Sequence, residues 1–290
     1  MKNAPFVTHR SLLFTVAYEM LGSAADAEDV VQEAWLRWAD TDQAAVQEPR
    51  AYLIQIVTRQ ALNRLRTLSR RREDYVGDWL PEPVLTSPDV GEDLELAESI
   101  SMAMLTVLET LGPTERAVFV LREVFQAPYE EIAEAIGKTP AAVRQIAHRA
   151  RDHVAARRPR LRVDHTEQQA AVERFLAAIR TGDVQGLLEV LAPDVVMVTD
   201  SGGLVPAAPK PIVGADKLAA FLIGVTANAS GRHAGTAVWI NGAPAARIDV
   251  DGEVAAALSL TVENGRITRI YTMRNPHKLA RLDAEATLAR

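Results

Sequence analysis

Charge along this chain is sorted into blocks that suit contact with a polyanion. From Arg59 to Arg72 there are six arginines and no acid, and from Lys138 to Arg160 seven bases stand against Asp152 alone. Between them, from Glu73 to Glu98, nine acids run without a single base. Guanidinium groups neutralise phosphates, and Gln, Asn and Arg pair with base edges in a groove. The first basic block therefore offers Arg59, Gln60, Asn63 and Arg64 as DNA contacts, and the second offers Arg144, Gln145, His148, Arg149 and Arg151. A third polar set, Asp26, Asp29, Gln32 and Glu33, opens a helix where its dipole favours acids, and by itself it names no partner. With no cysteine in the chain there is no disulfide, no thiolate nucleophile and no Cys-ligated metal. No paired carboxylates or metal-ligand spacing stand out, so we expect no metal and no cofactor.

The second basic block sits in a helix-turn-helix pattern. Tyr129 to Ile136 reads as a short amphipathic helix, Gly137-Lys138 as a tight turn, and Thr139-Pro140 as the N-cap and first position of a second helix. On that helix residues 144, 148 and 151 share one face, while Val143, Ile146 and Ala147 lean toward a core. Upstream, helical spacing predicts helices from Leu12 to Leu21, after Ser23 to Trp38, and from Pro49 to about Arg72. Residues 73–93 read as an acidic, proline-rich linker, ordinarily a solvated spacer, yet Trp79 and Leu80 lie in its middle and suit docking. Leu94 to Leu111 reads as one helix and Glu115 to Phe125 as another.

After Pro159 the pattern changes. Two helices (167–181 and 184–191) precede strands at 195–199, 236–240, 245–250, 253–262 and 267–273, with a short helix at 214–225. Asp251-Gly252 and Asn264-Gly265 are hairpin signals. Helices followed by hairpin-connected strands predict an α+β domain with an antiparallel sheet. The chain has 290 residues, 48% hydrophobic and 24% charged, with a net charge of −6, which fits several globular domains and excludes a disordered chain, a collagen or a coiled-coil rod. The first ten residues lack the apolar core of a signal peptide and no apolar run is long enough to span a membrane, so we expect a cytoplasmic protein with no membrane contact.

Specific motifs add a resemblance. Ala27-Glu-Asp-Val-Val-Gln-Glu-Ala34 with Trp35-Leu-Arg37 resembles region 2.2 of bacterial sigma factors, and Thr58-Arg-Gln-Ala-Leu-Asn-Arg-Leu65 resembles regions 2.3 to 2.4. Leu108 to Arg151, with Glu115-Arg116 and the helix-turn-helix, resembles sigma domain 4. Without a domain 3, this is the plan of the extracytoplasmic-function (ECF) sigma factors. Tyr75-Val-Gly-Asp-Trp-Leu-Pro-Glu-Pro83 resembles the linker signature of the SigJ-like subgroup, which carries a C-terminal SnoaL-like domain. Asp200-Ser-Gly-Gly203 is similar to that subgroup's Asp-Gly-Gly-Gly motif, and Asn275-Pro-His-Lys-Leu279 to its Asn-Pro-Asp-Lys-Leu motif, with Ser201 and His277 as departures.

The resemblance implies four segments: sigma domain 2 (1–72), the linker (73–93), sigma domain 4 (94–158) and an α+β SnoaL-like cone (165–282). It implies that Asp26, Asp29, Gln32 and Glu33 face the polymerase β′ clamp helices, with the β flap a further contact. It places Gln60, Asn63, Arg64 and the 40–50 loop at the −10 promoter element, and Arg144, Gln145, His148 and Arg149 at the −35 element. The implied function is a sigma factor for promoter-specific initiation, modulated by its own C-terminal domain. Trp79, Leu80 and Pro81 are expected to dock near Asp200, Gly202 and Gly203, with Asn275, Pro276, Lys278 and Leu279 in the same regulatory set. SnoaL-like folds have a pocket, and here Asp200 and His233 are its candidate polar groups. Two other readings stand beside this one. A ligand-responsive helix-turn-helix regulator whose SnoaL-like domain binds a small molecule would bind an operator without polymerase, and leaves the first 72 residues unexplained. An enzyme on a DNA anchor would lose turnover at Asp200 or His233.

Overall fold

The computed structural model describes residues 4–72, 75–157, 164–228 and 231–290, with residues 69–72 given by backbone alone. Residues 73–74 of the expected linker and residue 158 of the expected domain 4 lie outside the described residues. The chain divides into two compact units: Met1–Asp74 with Met104–Arg158 and Thr287–Arg290, and Tyr75–Ala103 with Pro159–Ala286.

The first unit is helical. It contains α1 (Ala4–Leu21), α2 (Ala24–Asp40), α3 (Pro49–Arg72), and further along the chain α6 (Met102–Leu108) from Met104 on, α7 (Pro113–Phe119), α8 (Tyr129–Ile136) and α9 (Pro140–Arg157). Every residue of α1 from Leu12 to Leu21 is buried, because α2 and α3 pack around it. That burial takes in the polar Thr15 and Glu19. Ser23 caps α2 by accepting from the Asp26 N–H at 3.1 Å. The helix expected over 115–125 is α7 followed by one wide, π-type turn at Val120–Val124. Arg116 of α7 is 2% exposed; its Nε donates to the Glu19 carbonyl at 2.9 Å and its Nη1 to the Glu109 carboxylate. Burial pulls its pKa down to about 9, against the opposing field of Glu19. The last residues of the chain belong to this unit, with Leu288 buried and the Ala289 N–H donated to Thr15 Oγ1 at 3.0 Å.

The second unit holds α4 (Pro88–Glu92), α5 (Leu94–Ile100), α10 (His165–Thr181), α11 (Val184–Val190), α12 (Ala215–Asn228), α13 (Pro276–Leu279) and one six-stranded sheet. Its strands are β1 (Leu191–Asp200), β2 (Ile212–Val213), β3 (His233–Ile240), β4 (Ala243–Val250), β5 (Glu253–Glu263) and β6 (Arg266–Met273), in the order β2-β1-β6-β5-β4-β3. The sheet is mixed rather than antiparallel throughout: β1 runs parallel to β6, with Val198 opposite Tyr271, and the other pairs are antiparallel. Side chains alternate between its faces. Leu258, Leu260, Ala246 and Ile270 join α10, α11 and α12 in one core around Phe175 and Leu218. Ala257, Ala245, Tyr271 and Met273 point the other way, into a core completed by Leu80, Met102, Ala103, Leu279 and Leu282. The segment from Leu80 to Thr86 is thus not a solvated spacer. Leu80, Glu82, Val84 and Thr86 are each under 5% exposed, and Leu85 bridges Ile240 antiparallel and Glu285 in parallel.

The single helix expected over 94–111 is interrupted at Ser101, whose backbone is extended. The Asn241 amide takes the Ile100 carbonyl at 2.8 Å, removing the acceptor a continuous helix would have used. Asn241, at φ +55° in the β3–β4 turn, also exchanges backbone and side-chain hydrogen bonds with Val84. Among the described residues no helix is long and apolar enough to cross a membrane.

Candidate nucleic-acid surfaces and linker anchor

The helix-turn-helix forms as its caps dictate. Gly137 adopts φ +68° and returns its N–H to the Ala133 carbonyl, and Thr139 Oγ1 accepts from the Ala142 N–H at 3.3 Å. Val143, Ile146, Ala147, Ala150 and Val154 are buried, and Arg144, Gln145, His148, Arg149 and Arg151 stand on the exposed face of α9. Arg144 is held above the Tyr129 ring at 5.3 Å and pairs with Glu130 at 3.1 Å. Arg122 stands over the same ring at 4.5 Å. His148 pairs with Asp152 at 2.8 Å and Arg151 with Glu123 at 3.6 Å, both exposed pairs that water and salt screen.

On α3 the expected set divides. Asn63 is exposed, and Gln60 as a whole residue is 8% exposed. Arg59 donates to the Glu134 and Ala135 carbonyls at 3.0 and 3.3 Å. Those carbonyls end α8, where helix acceptors lack internal partners. Arg64 reaches α2: its Nε donates to Asp26 Oδ1 at 2.7 Å and its Nη2 to Asp29 Oδ2 at 3.1 Å. The bond to Asp26 raises the guanidinium pKa above its ordinary value. Gln32 and Glu33 are exposed farther along α2. The loop after α2 frames a cleft of about 540 Å³ lined by Trp38, Thr41, Asp42, Gln43 and Pro49.

In the second unit the linker is anchored on one carboxylate. Asp200, fully buried, accepts from Tyr75 Oη at 2.6 Å, the Leu80 N–H at 2.8 Å, Lys278 Nζ at 2.7 Å and the Gly202 N–H at 3.1 Å. Its backbone carbonyl accepts from the Arg274 and Asn275 N–H groups. Lys278 Nζ also donates to the Leu80 carbonyl and lies 4.0 Å from the centre of the Trp79 ring. Asn275 Nδ2 donates to Tyr75 Oη at 2.8 Å. Burial, then the bond to Asp200, pushes the Tyr75 phenol upward.

The glycines of the motif are needed for closeness. Gly202 has φ +58°, and a Cβ there would sit 2.5 Å from Asn275 Nδ2 and 3.0 Å from Tyr75 Oη; at Gly203, φ +72°, it would meet Val76 at 3.0 Å. Ser201 needs no such freedom, being absent from the positive-φ residues. His277 is exposed and contributes its backbone N–H to Asn275 Oδ1. Pro276 opens α13 at the surface, Leu279 is buried below it, and Pro81 is buried beside Leu80. His233 stands exposed at the start of edge strand β3, apart from Asp200 near the far edge of the sheet. Sequence reasoning missed Asn241, although Asn241-Gly242 is a hairpin dipeptide of the same kind as those it used. Among the described residues no cluster of three His, Asp or Glu suits a metal ion.

The chain matches the models for Sigma-70 region 2 over residues 6–71 and Sigma-70 region 4 over residues 101–154. It is 38% identical over 294 residues to the ECF RNA polymerase sigma factor SigJ of Mycobacterium tuberculosis, covering 96% of this chain and 93% of that one. A probable ECF RNA polymerase sigma factor of the same organism, SigI, is 33% identical, with 98% and 96% covered. The crystal structure of Mycobacterium tuberculosis SigJ superposes with a TM-score of 0.75 at 34% identity, covering 96% of this chain and 98% of that one. Both sigma regions and the appended α+β unit are thus shared with a relative along nearly its whole length, and the chain belongs to the family of ECF RNA polymerase sigma factors.

Proposed function

We propose that this sigma factor joins core RNA polymerase to its promoters and that the C-terminal unit modulates it by gripping the linker between the two sigma regions. The observation that carries the modulation is the anchor: the linker is pinned at Asp200 and then bridges the sheet edge at Leu85–Ile240. A buried carboxylate with four donors holds position firmly, and losing one charged partner of such a pair costs about 3–5 kcal/mol. In this reading the acidic face of α2, with Asp26, Asp29, Gln32 and Glu33, meets the β′ clamp helices. Arg59, Gln60, Asn63 and the loop after α2 serve the −10 element, Arg144, Gln145, His148, Arg149 and Arg151 the −35 element, and region 4 the β flap. Arg59 leaves its α8 carbonyls to do so.

We assign no catalysis to the C-terminal unit, because the carboxylate that would serve as base is saturated by donors and has no lone pair aimed at a substrate. The test is transcription in vitro with core polymerase on a cognate promoter, comparing the full chain with Asp200→Asn and with the Trp79→Ala, Leu80→Ala pair. Promoter-specific output that shifts at least severalfold, in the same direction for both, supports the proposal. Output identical to the unmodified chain removes the modulating role. No promoter-specific transcript from any of them, on a promoter active in cells, removes the initiation role.

A further inference from the structure

Arg64 was read from the sequence as a promoter contact, and Asp26 and Asp29 as polymerase contacts, yet the structure ties the three together. Arg64 lies on α3 and both carboxylates lie on α2, one turn apart. The guanidinium spans them, at 2.7 Å to Asp26 and 3.1 Å to Asp29, and its side chain is 37% exposed against 18% and 62% for theirs. Two acids three residues apart on one helix repel each other, and each loses rotamer freedom when held in one pose. A planar fork placed between them offsets the repulsion and fixes both oxygens. A phosphate approaching Arg64 would meet Asp29, the more exposed of the pair, beside it.

From this geometry we infer that Arg64 is a positioning residue for the polymerase-facing edge of α2 and not a promoter contact. The inference rests on the proposal that this edge meets core polymerase. Arg64 acts through the carboxylates it holds: it presents Asp26 and Asp29 in one fixed arrangement to a basic partner surface. A lysine, with one compact ammonium in place of a fork, would hold a single carboxylate at a time.

The experiment uses full-length protein and measures two affinities separately: that of the chain for core polymerase, and that of preassembled holoenzyme, at saturating core, for a promoter fork carrying the −10 element. The variants are Arg64→Ala, Arg64→Lys, Asp26→Ala, the Arg64→Ala, Asp26→Ala pair, Asn63→Ala and Gln32→Lys. Arg64→Ala is expected to weaken core binding about fivefold to tenfold, Arg64→Lys to restore part of it, and both holoenzymes to bind the fork like the unmodified one. Asn63→Ala should show the opposite split. Combining Arg64→Ala with Asp26→Ala should weaken core binding less than the product of the single effects. Arg64→Ala that leaves core affinity unchanged, with or without loss of fork binding, overturns the inference provided that Gln32→Lys weakens core binding. If Gln32→Lys and Asp26→Ala also leave core affinity unchanged, the α2 edge is not the polymerase surface and the inference fails with it. A thermal midpoint within two or three degrees of the unmodified chain separates these effects from unfolding, and Arg64→Lys serves if the alanine variant melts early.

Discussion

Single residues in this protein carry more of the architecture than their exposure in the sequence suggests. Asp200 looks in sequence like a turn carboxylate before two glycines, and three of the four hydrogen bonds it accepts come from partners 78 to 125 positions away, beyond any local pattern. His165 is a second case. Its ring meets Trp239 edge-on at 5.1 Å, and a Cβ on Gly91 would come within 2.8 Å of it. Burial holds its imidazole below the ordinary 6.5, with Asp164 opposing in part. The unfolded chain takes up a proton as pH falls through 6.5 while the folded form stays neutral, so this contribution to stability is present above 6.5 and is lost as pH falls through the lower folded value. Urea unfolding at pH 7.5 and at pH 5 should therefore show a smaller acid-induced loss for His165→Phe than for the unmodified chain; an equal loss would mean the imidazole titrates freely. Arg64 shows the limit of reading residue by residue. Its type and spacing matched a DNA face, but whether a side chain is spoken for by another helix is decided by packing.

At the scale of elements, local signals did most of their work where the contacts are local. The helix-turn-helix follows from Gly137, Thr139 and Pro140, and the β4–β5 and β5–β6 turns from Asp251-Gly252 and Asn264-Gly265, all at the positive φ those dipeptides favour. The parallel pairing of β1 with β6 joins residues more than 70 positions apart and leaves no trace in periodicity. Nor does the break between α5 and α6, since Ser101 is an ordinary helix residue and the cause is Asn241. The linker's burial was legible only as an oddity, Trp79 and Leu80 in an acidic, proline-rich run. Its second contact is made by α4, where Gly91 lies so close to Trp239 that a Cβ would come within 2.5 Å of the ring. Gly91→Ala should loosen α4 at a cost of about 1–3 kcal/mol, the usual range for overpacking. Limited proteolysis should then cut between residues 87 and 100 faster than in the unmodified chain, and an unchanged rate would show that the ring yields.

At the scale of the whole molecule, the compact units do not follow the order of the chain. The backbone passes from one unit to the other after Asp74, after Ala103, after Arg158 and after Ala286, so each unit is built from separated stretches. The stretch from Tyr75 to Ala103 completes a sheet face and a core whose other members come after residue 159. Such an arrangement behaves like a split protein in which one part supplies the missing strand of the other. Produced as two chains, residues 1–158 and 159–290, the halves should find each other and elute together, and Leu80→Asp in the first half should part them. The same interleaving means that shortening the chain from its C-terminal side does more than delete a regulator: it strips the cover from Leu80, Val84, Met102 and Ala103 and leaves the segment that carries them with a new apolar surface. A truncated form is therefore a different molecule with its own adhesive patch, prone to self-association or to capture by chaperones, and its behaviour reports on that patch as well as on the part removed.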